Sequence, residues 1–143
     1  MEGLGRLFNY IHLADNTYIN VRDTGGVTFF CYLTGAAGDT WTLTEATSAA
    51  GGSAAVLTTI TQWYTCPGDG TDAWVKHTQA AASTVVTAAS AAENGMCFHV
   101  NPAELSAGFD YLKVASTGAG LVTAVAHDLV VQRTPANLAI LGA

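Results

Sequence analysis

Tyr111–Arg133 reads YLKVASTGAGLVTAVAHDLVVQR, and this stretch has the clearest strand pattern of the chain. Over Tyr111–Ser116, alternate residues are Tyr, Lys and Ala on one side and Leu, Val and Ser on the other, which is typical of a strand. The glycines of Thr117–Gly120 predict a turn. Leu121–Arg133 predicts a long return strand, which ends at Thr134-Pro135. This stretch therefore favours antiparallel β structure.

Outward from this stretch, other short segments are rich in β-branched and aromatic residues and are separated by turn residues. These further predicted strands are Tyr18–Arg22, Val27–Leu33, Thr40–Thr44, Val56–Tyr64, Ala73–His77, Thr84–Thr87 and Met96–Val100. The loop CPGDGTD (Cys66–Asp72) and the pair Asn94-Gly95 each predict a hairpin. Asn101-Pro102 predicts a helical turn with Asn101 as its N-cap. Roughly eight or nine short strands with little helix predict an all-β fold, an antiparallel β-sandwich or small barrel of Greek-key or jelly-roll type.

The composition is poor in charge. Of the 143 residues, 50% are hydrophobic and 11% are charged, whereas soluble domains average about 25% charged residues. The length fits one domain, which we divide into an N-terminal arm (1–16), a sandwich core (17–133) and a C-terminal arm (134–143). A surface with so few charges indicates a chain that is covered by other protein in an assembly.

Bulk properties also argue against several classes of protein. A membrane-spanning helix needs about 20 consecutive apolar residues, and the sequence has no such run. We see no secretory signal pattern, so we expect synthesis and folding in a cytoplasm. A net charge of −6 with five Lys and Arg residues disfavours nucleic-acid binding. The three cysteines form no CxxC motif, and we expect free, buried thiols.

No motif predicts catalysis, a cofactor or a bound metal. The four histidines lie on different segments without a metal-binding spacing: His12, His77, His99 and His127. His127-Asp128 resembles the His–carboxylate pair of a hydrolase only weakly, because neighbouring residues on a strand point to opposite faces. The carboxylates of the CPGDGTD loop offer oxygen ligands for Ca²⁺, but the loop lacks the remaining EF-hand ligands. We therefore predict a plain turn there and a protein that is not an enzyme.

Two kinds of binding residue remain as candidates. Trp63, Tyr64 and Trp74 are candidates for a sugar-binding platform. Trp41 is a further candidate, but the alternation around it suits a core position equally well. The two chain ends are apolar and interrupted by glycine, which favours arms that dock on a neighbouring subunit over frayed termini. The predicted anchors are Leu7, Phe8, Leu138, Ile140 and Leu141.

Asp110–Arg133 (DYLKVASTGAGLVTAVAHDLVVQR) resembles an ending found in small structural proteins of tailed bacteriophages. The stretches DTWTLTEATSAAGG and YTCPGDGTDAWVKHTQAA are similar to virion proteins of phages that infect actinobacteria. The resemblance covers Val27–Asn137 and implies a minor capsid protein, a decoration (cement) protein that binds and stabilises the shell of the major capsid protein. It also implies a location on the capsid surface and self-association, with a trimer among the expected oligomers. A tail or tail-tube component and a carbohydrate-binding β-sandwich module of the virion are the alternatives.

Overall fold

The chain forms two antiparallel β-sheets that pack against each other. They are described by a computed structural model for residues 8–12, 14–70 and 73–130. The strands are β1 (Phe8–Ile11), β2 (Ile19–Asn20), β3 (Thr24–Tyr32), β4 (Asp39–Ala46), β5 (Ala55–Val56), β6 (Ile60–Cys66), β7 (Val75–Ala82), β8 (Thr84–Thr87), β9 (Gly95–Val100), β10 (Tyr111–Ser116) and β11 (Leu121–Leu129). Two 3-10 turns, Ala91–Glu93 and Pro102–Glu104, are the helical elements of the described residues.

The larger sheet has six strands in the order β1-β11-β3-β9-β6-β7. In the smaller sheet, β2, β10 and β4 lie side by side, and the far edge of β4 is shared by β8 and β5. The predicted all-β sandwich is confirmed, and the sheets of the described residues do not close into a barrel.

The core lies between the two sheets because inward residues alternate with outward ones along each strand. On β4, Trp41 and Leu43 are buried as their alternation predicts. On β3, Phe29 points inward and stacks on Phe98 of β9 with 5.5 Å between ring centroids. The other buried hydrophobic residues of the core include Ile19, Val21, Val27, Val85, Met96, Val100, Leu112, Val114, Val122, Ala124 and Ala126.

Two predicted segments, Val56–Tyr64 and Ala73–His77, differ most from the observed strands. The segment predicted as one strand, Val56–Tyr64, is divided between β5 of the smaller sheet and β6 of the larger sheet. Leu57 lies at this crossing and is buried, which places an apolar residue between the sheets where the chain changes layer. β7 continues to Ala82, beyond the predicted end at His77. The hairpin predicted across the CPGDGTD loop is present, since β6 and β7 pair antiparallel.

The hairpin predicted at Asn94-Gly95 is wrong. β8 pairs with β4 in the smaller sheet, whereas β9 pairs with β3 and β6 in the larger sheet. Asn94 has a right-handed φ of −63° and ends the 3-10 turn. Its carbonyl accepts from the Leu33 N–H, and its side-chain oxygen accepts from the Ala36 N–H. This Asn-Gly pair therefore joins two layers instead of reversing one strand upon the next.

The two strands of Tyr111–Arg133 also lie in different layers. β10 pairs with β2 and β4, whereas β11 pairs with β1 and β3. The predicted return strand therefore crosses to the opposite sheet, and it ends at Leu129 within the described residues.

Asn101 caps the 3-10 turn Pro102–Glu104 as predicted, since its side-chain oxygen accepts from the Ala103 N–H.

Part of the predicted N-terminal arm belongs to the sandwich. Phe8–Ile11 forms β1 and pairs with β11, so the larger sheet begins inside the segment assigned to the arm. Residues 1–7 and 134–143 lie outside the described residues, and their assignment as arms stays a prediction.

Candidate functional site

The outer side of the larger sheet is an extended surface that the sequence did not single out. We call it the uncharged face and define it by outward side chains of five strands: Phe8, Tyr10, Thr28, Phe30, Tyr32, Tyr64, Cys97, His99, Leu121, Thr123, Val125 and His127. Among them, Phe8 is 52% exposed, Phe30 39% and Leu121 59%. Large exposed apolar surfaces of this kind mark interaction sites.

The register of the strands makes this face continuous. One cross-strand row runs from Thr123 through Phe30, Cys97 and Tyr64 to Lys76 at the sheet edge. Side chains opposite one another in such rows lie about 5 Å apart and contact each other. The row therefore presents an unbroken aromatic and thiol surface until it reaches the edge strand.

Charged residues lie at the rim of this face. The six strands of the larger sheet contain two formally charged residues, Lys76 on β7 and Asp128 near the end of β11. Glu104 lies beyond the end of β9, in the 3-10 turn. Formal charge on the strands of the larger sheet is thus confined to the rim of this face.

The outer side of the smaller sheet is different in chemistry. Thr40, Thr42 and Thr44 point outward along β4, and each is half-buried. Lys113 lies opposite Thr44 on β10, with its ammonium 4.7 Å from the centre of the Tyr18 ring. Hydroxyls and a cation are easily hydrated, but this side also carries the exposed side chains of Val56 and Val86 opposite Thr44 and Thr40.

Two histidines lie together on the uncharged face. The rings of His99 and His127 stack with centroids 5.2 Å apart. They meet above Gly26, where an added Cβ would lie 2.4 Å from the Cε1 atom of His127. Only glycine leaves room for both imidazoles at this point.

The electrostatics of the pair favour a neutral His99. Burial and the neighbouring His127 lower the pKa of His99, while Glu104 and Asp128 oppose that change. A neutral imidazole here keeps the centre of the face free of charge at neutral pH.

Asp128 contacts His127, contrary to the expectation that these neighbours point to opposite faces. Asp128 has a positive φ of 52°, which turns its side chain back toward the imidazole. Its Oδ2 lies 2.7 Å from His127 Nδ1, and the Thr28 hydroxyl lies 3.3 Å from His127 Nε2. This hydroxyl–imidazole–carboxylate order is that of a hydrolase triad. However, Thr28 lies on β3, whose two edges are both paired, so its surroundings lack the free N–H groups that stabilise an oxyanion.

A shallow cavity of about 170 Å³ lies beside His99. Its lining is mostly polar: Thr59, Thr61, Gln62, Tyr64, His99, Asn101 and Glu104. Three of these side chains are already engaged, since the Thr59 hydroxyl donates to the Glu104 carboxylate and Asn101 caps the 3-10 turn. The cavity adds a polar border to the uncharged face.

The candidate sugar platform is not assembled as one surface. Trp41 is buried in the core. Trp63 and Tyr64 are successive residues of β6 and point to opposite sides of the sheet. Trp63 stacks on His77 with centroids 5.2 Å apart, and its indole N–H is buried without a hydrogen-bond partner. Trp74 is 49% exposed.

The thiols and carboxylates form no metal centre in the part of the chain that the structure describes. Asp72 of the CPGDGTD loop lies outside this part, so the cation alternative at that loop stays a prediction. Cys31 and Cys66 are buried thiols, as expected. Cys97 is half-buried on the uncharged face, and burial and the nearby Cys66 raise the pKa of its thiol to about 11.

Of the five predicted anchors, Phe8 can be placed. It lies on β1 opposite His127, at the edge of the uncharged face. Leu7, Leu138, Ile140 and Leu141 lie outside the described residues. The sequence does contain a signal for the missed face. Val27–Leu33 (VTFFCYL) is apolar on both sides, and in a two-layer sandwich one of those sides must be exposed.

No protein-family model, curated protein or solved structure matches this chain. None of the helices in residues 8–12, 14–70 and 73–130 is long and apolar enough to cross a membrane.

Proposed function

We propose that this chain is a structural, non-enzymatic component of a bacteriophage virion, a decoration protein that binds and stabilises the shell of the major capsid protein. The observation that carries the proposal is the uncharged face, with Phe8, Phe30 and Leu121 exposed on it. A surface of this size and chemistry is favourable when other protein covers it, because each buried Å² of apolar area contributes about 25 cal/mol. In a symmetric shell, such contacts are repeated in every copy.

The two arms are the second part of the proposal. Phe8 pairs with His127, so the first and last described residues of this region, Phe8 and Val130, lie at neighbouring strand ends. The apolar anchors of both arms (Leu7, Phe8, Leu138, Ile140 and Leu141) are then proposed to contact the same neighbouring capsid subunit. The arms would contact the shell and the uncharged face would contact copies of the chain, with Phe8 at the border between the two.

The alternatives differ in location and ligand. A tail or tail-tube component would use the same surfaces, and the reading frames beside the gene distinguish it from a capsid protein. A protease, scaffold and major capsid protein nearby support the shell, whereas a tape-measure protein supports the tail. The carbohydrate-binding alternative has weaker support, because Trp63 and Tyr64 face opposite sides of β6.

The first prediction concerns the C-terminal arm. We expect a variant lacking Ala136–Ala143 to fold but to bind shells much more weakly, because Leu138, Ile140 and Leu141 are removed. The test is co-expression with the neighbouring major capsid protein, followed by gradient sedimentation and quantification of the chain in the shell fraction. The matched control keeps the length and replaces Asn137 with Ser.

Two results would contradict the proposal. Full-length chain that never sediments with intact shells argues against a decoration protein. Truncated chain that binds shells as well as the full-length chain leaves decoration intact but removes the arm from it.

A further inference from the structure

We propose that the uncharged face is a homotypic interface, on which two copies of this chain pack their larger sheets face to face about a two-fold axis. Every outward position of the central rows carries an aromatic, aliphatic, hydroxyl, thiol or imidazole group, as at Phe30, Cys97 and Tyr64. The inference concerns the purified chain alone and does not rest on its role in a virion.

The distribution of charge on the chain favours a second copy as the protein that covers the uncharged face. In a two-fold contact, a patch meets the same patch of the second copy, so a patch that carries one sign of charge would face the same sign across the axis. The chain has a net charge of −6, and two copies therefore repel each other through most of their surface. The uncharged face avoids this repulsion because Lys76 and Asp128 lie at its rim.

The size of the face also fits a dimer. β3 and β11 have nine residues each, which at about 3.3 Å per residue corresponds to about 30 Å. The five strands β1, β11, β3, β9 and β6 span about 24 Å at their usual spacing. Because β1, β9 and β6 are shorter than β3 and β11, the five strands cover roughly 550 Å², close to the ~600 Å² per partner at the lower end of specific interfaces.

Aligned packing of two sheets is a common way to cover their faces, with the sheets about 10 Å apart. Phe30 lies between Thr123 and Cys97 near the middle of the face, where a side chain of the partner would enclose it. We therefore expect Phe30 to contribute more than residues at the rim.

The test compares charge insertions on the two outer sides of the sandwich. Phe30→Glu places a carboxylate in the centre of the uncharged face, and Leu121→Glu places one on the neighbouring strand. The matched control is Val86→Glu on β8, which is 63% exposed on the smaller sheet. Circular dichroism and thermal melting establish that each variant folds, and sedimentation equilibrium over a concentration series gives its dissociation constant.

We expect wild type to form a dimer and Val86→Glu to match it within about two-fold. Phe30→Glu should raise the dissociation constant by about 30-fold or more, as expected for a central residue of an interface. If Phe30→Glu fails to fold, Leu121→Glu decides the question, with a smaller rise in the same direction.

The pH dependence provides a second measurement. His99 is surrounded by His127 on β11, Asp128 at the end of that strand, Glu104 in the 3-10 turn and Tyr64 on β6. Acid reduces the net negative charge, and with it the repulsion between copies, in wild type and in His99→Gln alike. Protonation of His99 would also bring a cation into the interface, so we expect wild type to gain less association than His99→Gln when the pH falls from 7.5 to 5.

Several outcomes would overturn the inference. A wild-type chain that is monomeric at about 100 μM has no such interface. A trimer is incompatible with an isologous two-fold contact. Dimers that persist in both folded face variants, or that are lost in Val86→Glu instead, place the contact elsewhere. A monomer whose face variants lose only shell binding would assign this face to the capsid protein.

Discussion

Trp41 shows how one side chain fixes the packing at one end of the sandwich. It is 1% exposed, and its indole N–H lies 3.4 Å from the Thr87 hydroxyl. Its ring lies against Gly120, where an added Cβ would be 2.2 Å from the ring carbon Cη2. A buried ring of this size cannot move aside without disturbing its neighbours. Gly120 is therefore required by the close approach of Trp41 to the backbone.

We expect Gly120→Ala to destabilise the protein by about 1–3 kcal/mol, the usual cost of overpacking a core. The matched control is Gly118→Ala in the same loop, because a Cβ there would lie 3.5 Å from Asp39, an ordinary contact distance. Urea unfolding followed by tryptophan fluorescence measures both. Equal stability of the two variants would show that the ring of Trp41 adjusts freely.

The sequence predicted Trp41 correctly but not its partner. The alternation over Thr40–Thr44 is sufficient to place Trp41 and Leu43 on the buried face. The position of Gly120 opposite the ring depends on the chain crossing between sheets, which local pattern does not encode. For the same reason, the contact between His127 and Asp128 could not be predicted, because it depends on the positive φ of Asp128.

At the level of elements, Asp39 holds the crossing between β10 and β11 in place. Its carboxylate accepts hydrogen bonds from the side chains of Ser116 and Thr117 and from the backbone N–H groups of Thr40, Thr117 and Gly118. Burial raises the pKa of Asp39, but these hydrogen bonds outweigh that effect and lower it overall. The first residue of β4 thus anchors the loop that joins the two layers.

We expect Asp39→Asn to reduce stability at pH 7 and to flatten its loss in acid. The folded-state pKa of Asp39 is lowered, so the unfolded chain takes up the proton first as the pH falls. The resulting stabilisation is fully present above about pH 5 and is lost as the pH falls through the folded-state pKa. Thermal melting of both proteins from pH 7 to pH 2 should show two curves that converge in acid. A difference in melting temperature between the two proteins that stays constant with pH would mean that the charge of Asp39 contributes nothing to stability.

Strand limits were easier to predict than strand partners. Thr84–Thr87 and Tyr111–Ser116 agree with β8 and β10, because β-branched runs bounded by small residues are local signals. The hairpin prediction at Asn94-Gly95 was wrong because the side chain and carbonyl of Asn94 bind the loop after β3. The backbone therefore does not form a two-residue turn there. Partner choice is decided by the burial of faces over the whole sandwich.

At the level of the whole molecule, the two outer sides differ in chemistry. The smaller sheet presents threonines, Lys113 and two exposed valines, whereas the uncharged face presents mainly aromatic, aliphatic and imidazole groups. The low charge of the sequence predicted that some surface is covered, but it did not indicate which one. That information required the register that aligns Phe30 with Thr123 and Cys97.

Ionic strength should distinguish an uncharged interface from one held by ion pairs. We expect self-association to become a few-fold tighter from about 50 to 500 mM NaCl, because salt screens the repulsion between two chains of net charge −6. Sedimentation equilibrium at both salt concentrations measures the change. Association that weakens as salt is added would indicate ion pairs across the contact.

The position of β11 between β1 and β3 has a consequence for synthesis of the protein. Among the described strands, β1 pairs only with β11, and Phe8 and His127 are 119 positions apart in the chain (127 − 8 = 119). On a ribosome, β1 therefore lacks this partner until the stretch around His127 emerges, and one edge of β3 lacks it too. A nascent chain cannot complete the larger sheet before that point, so neighbouring nascent chains present only incomplete uncharged faces to one another. The order of synthesis therefore delays pairing between copies until β11 has been made.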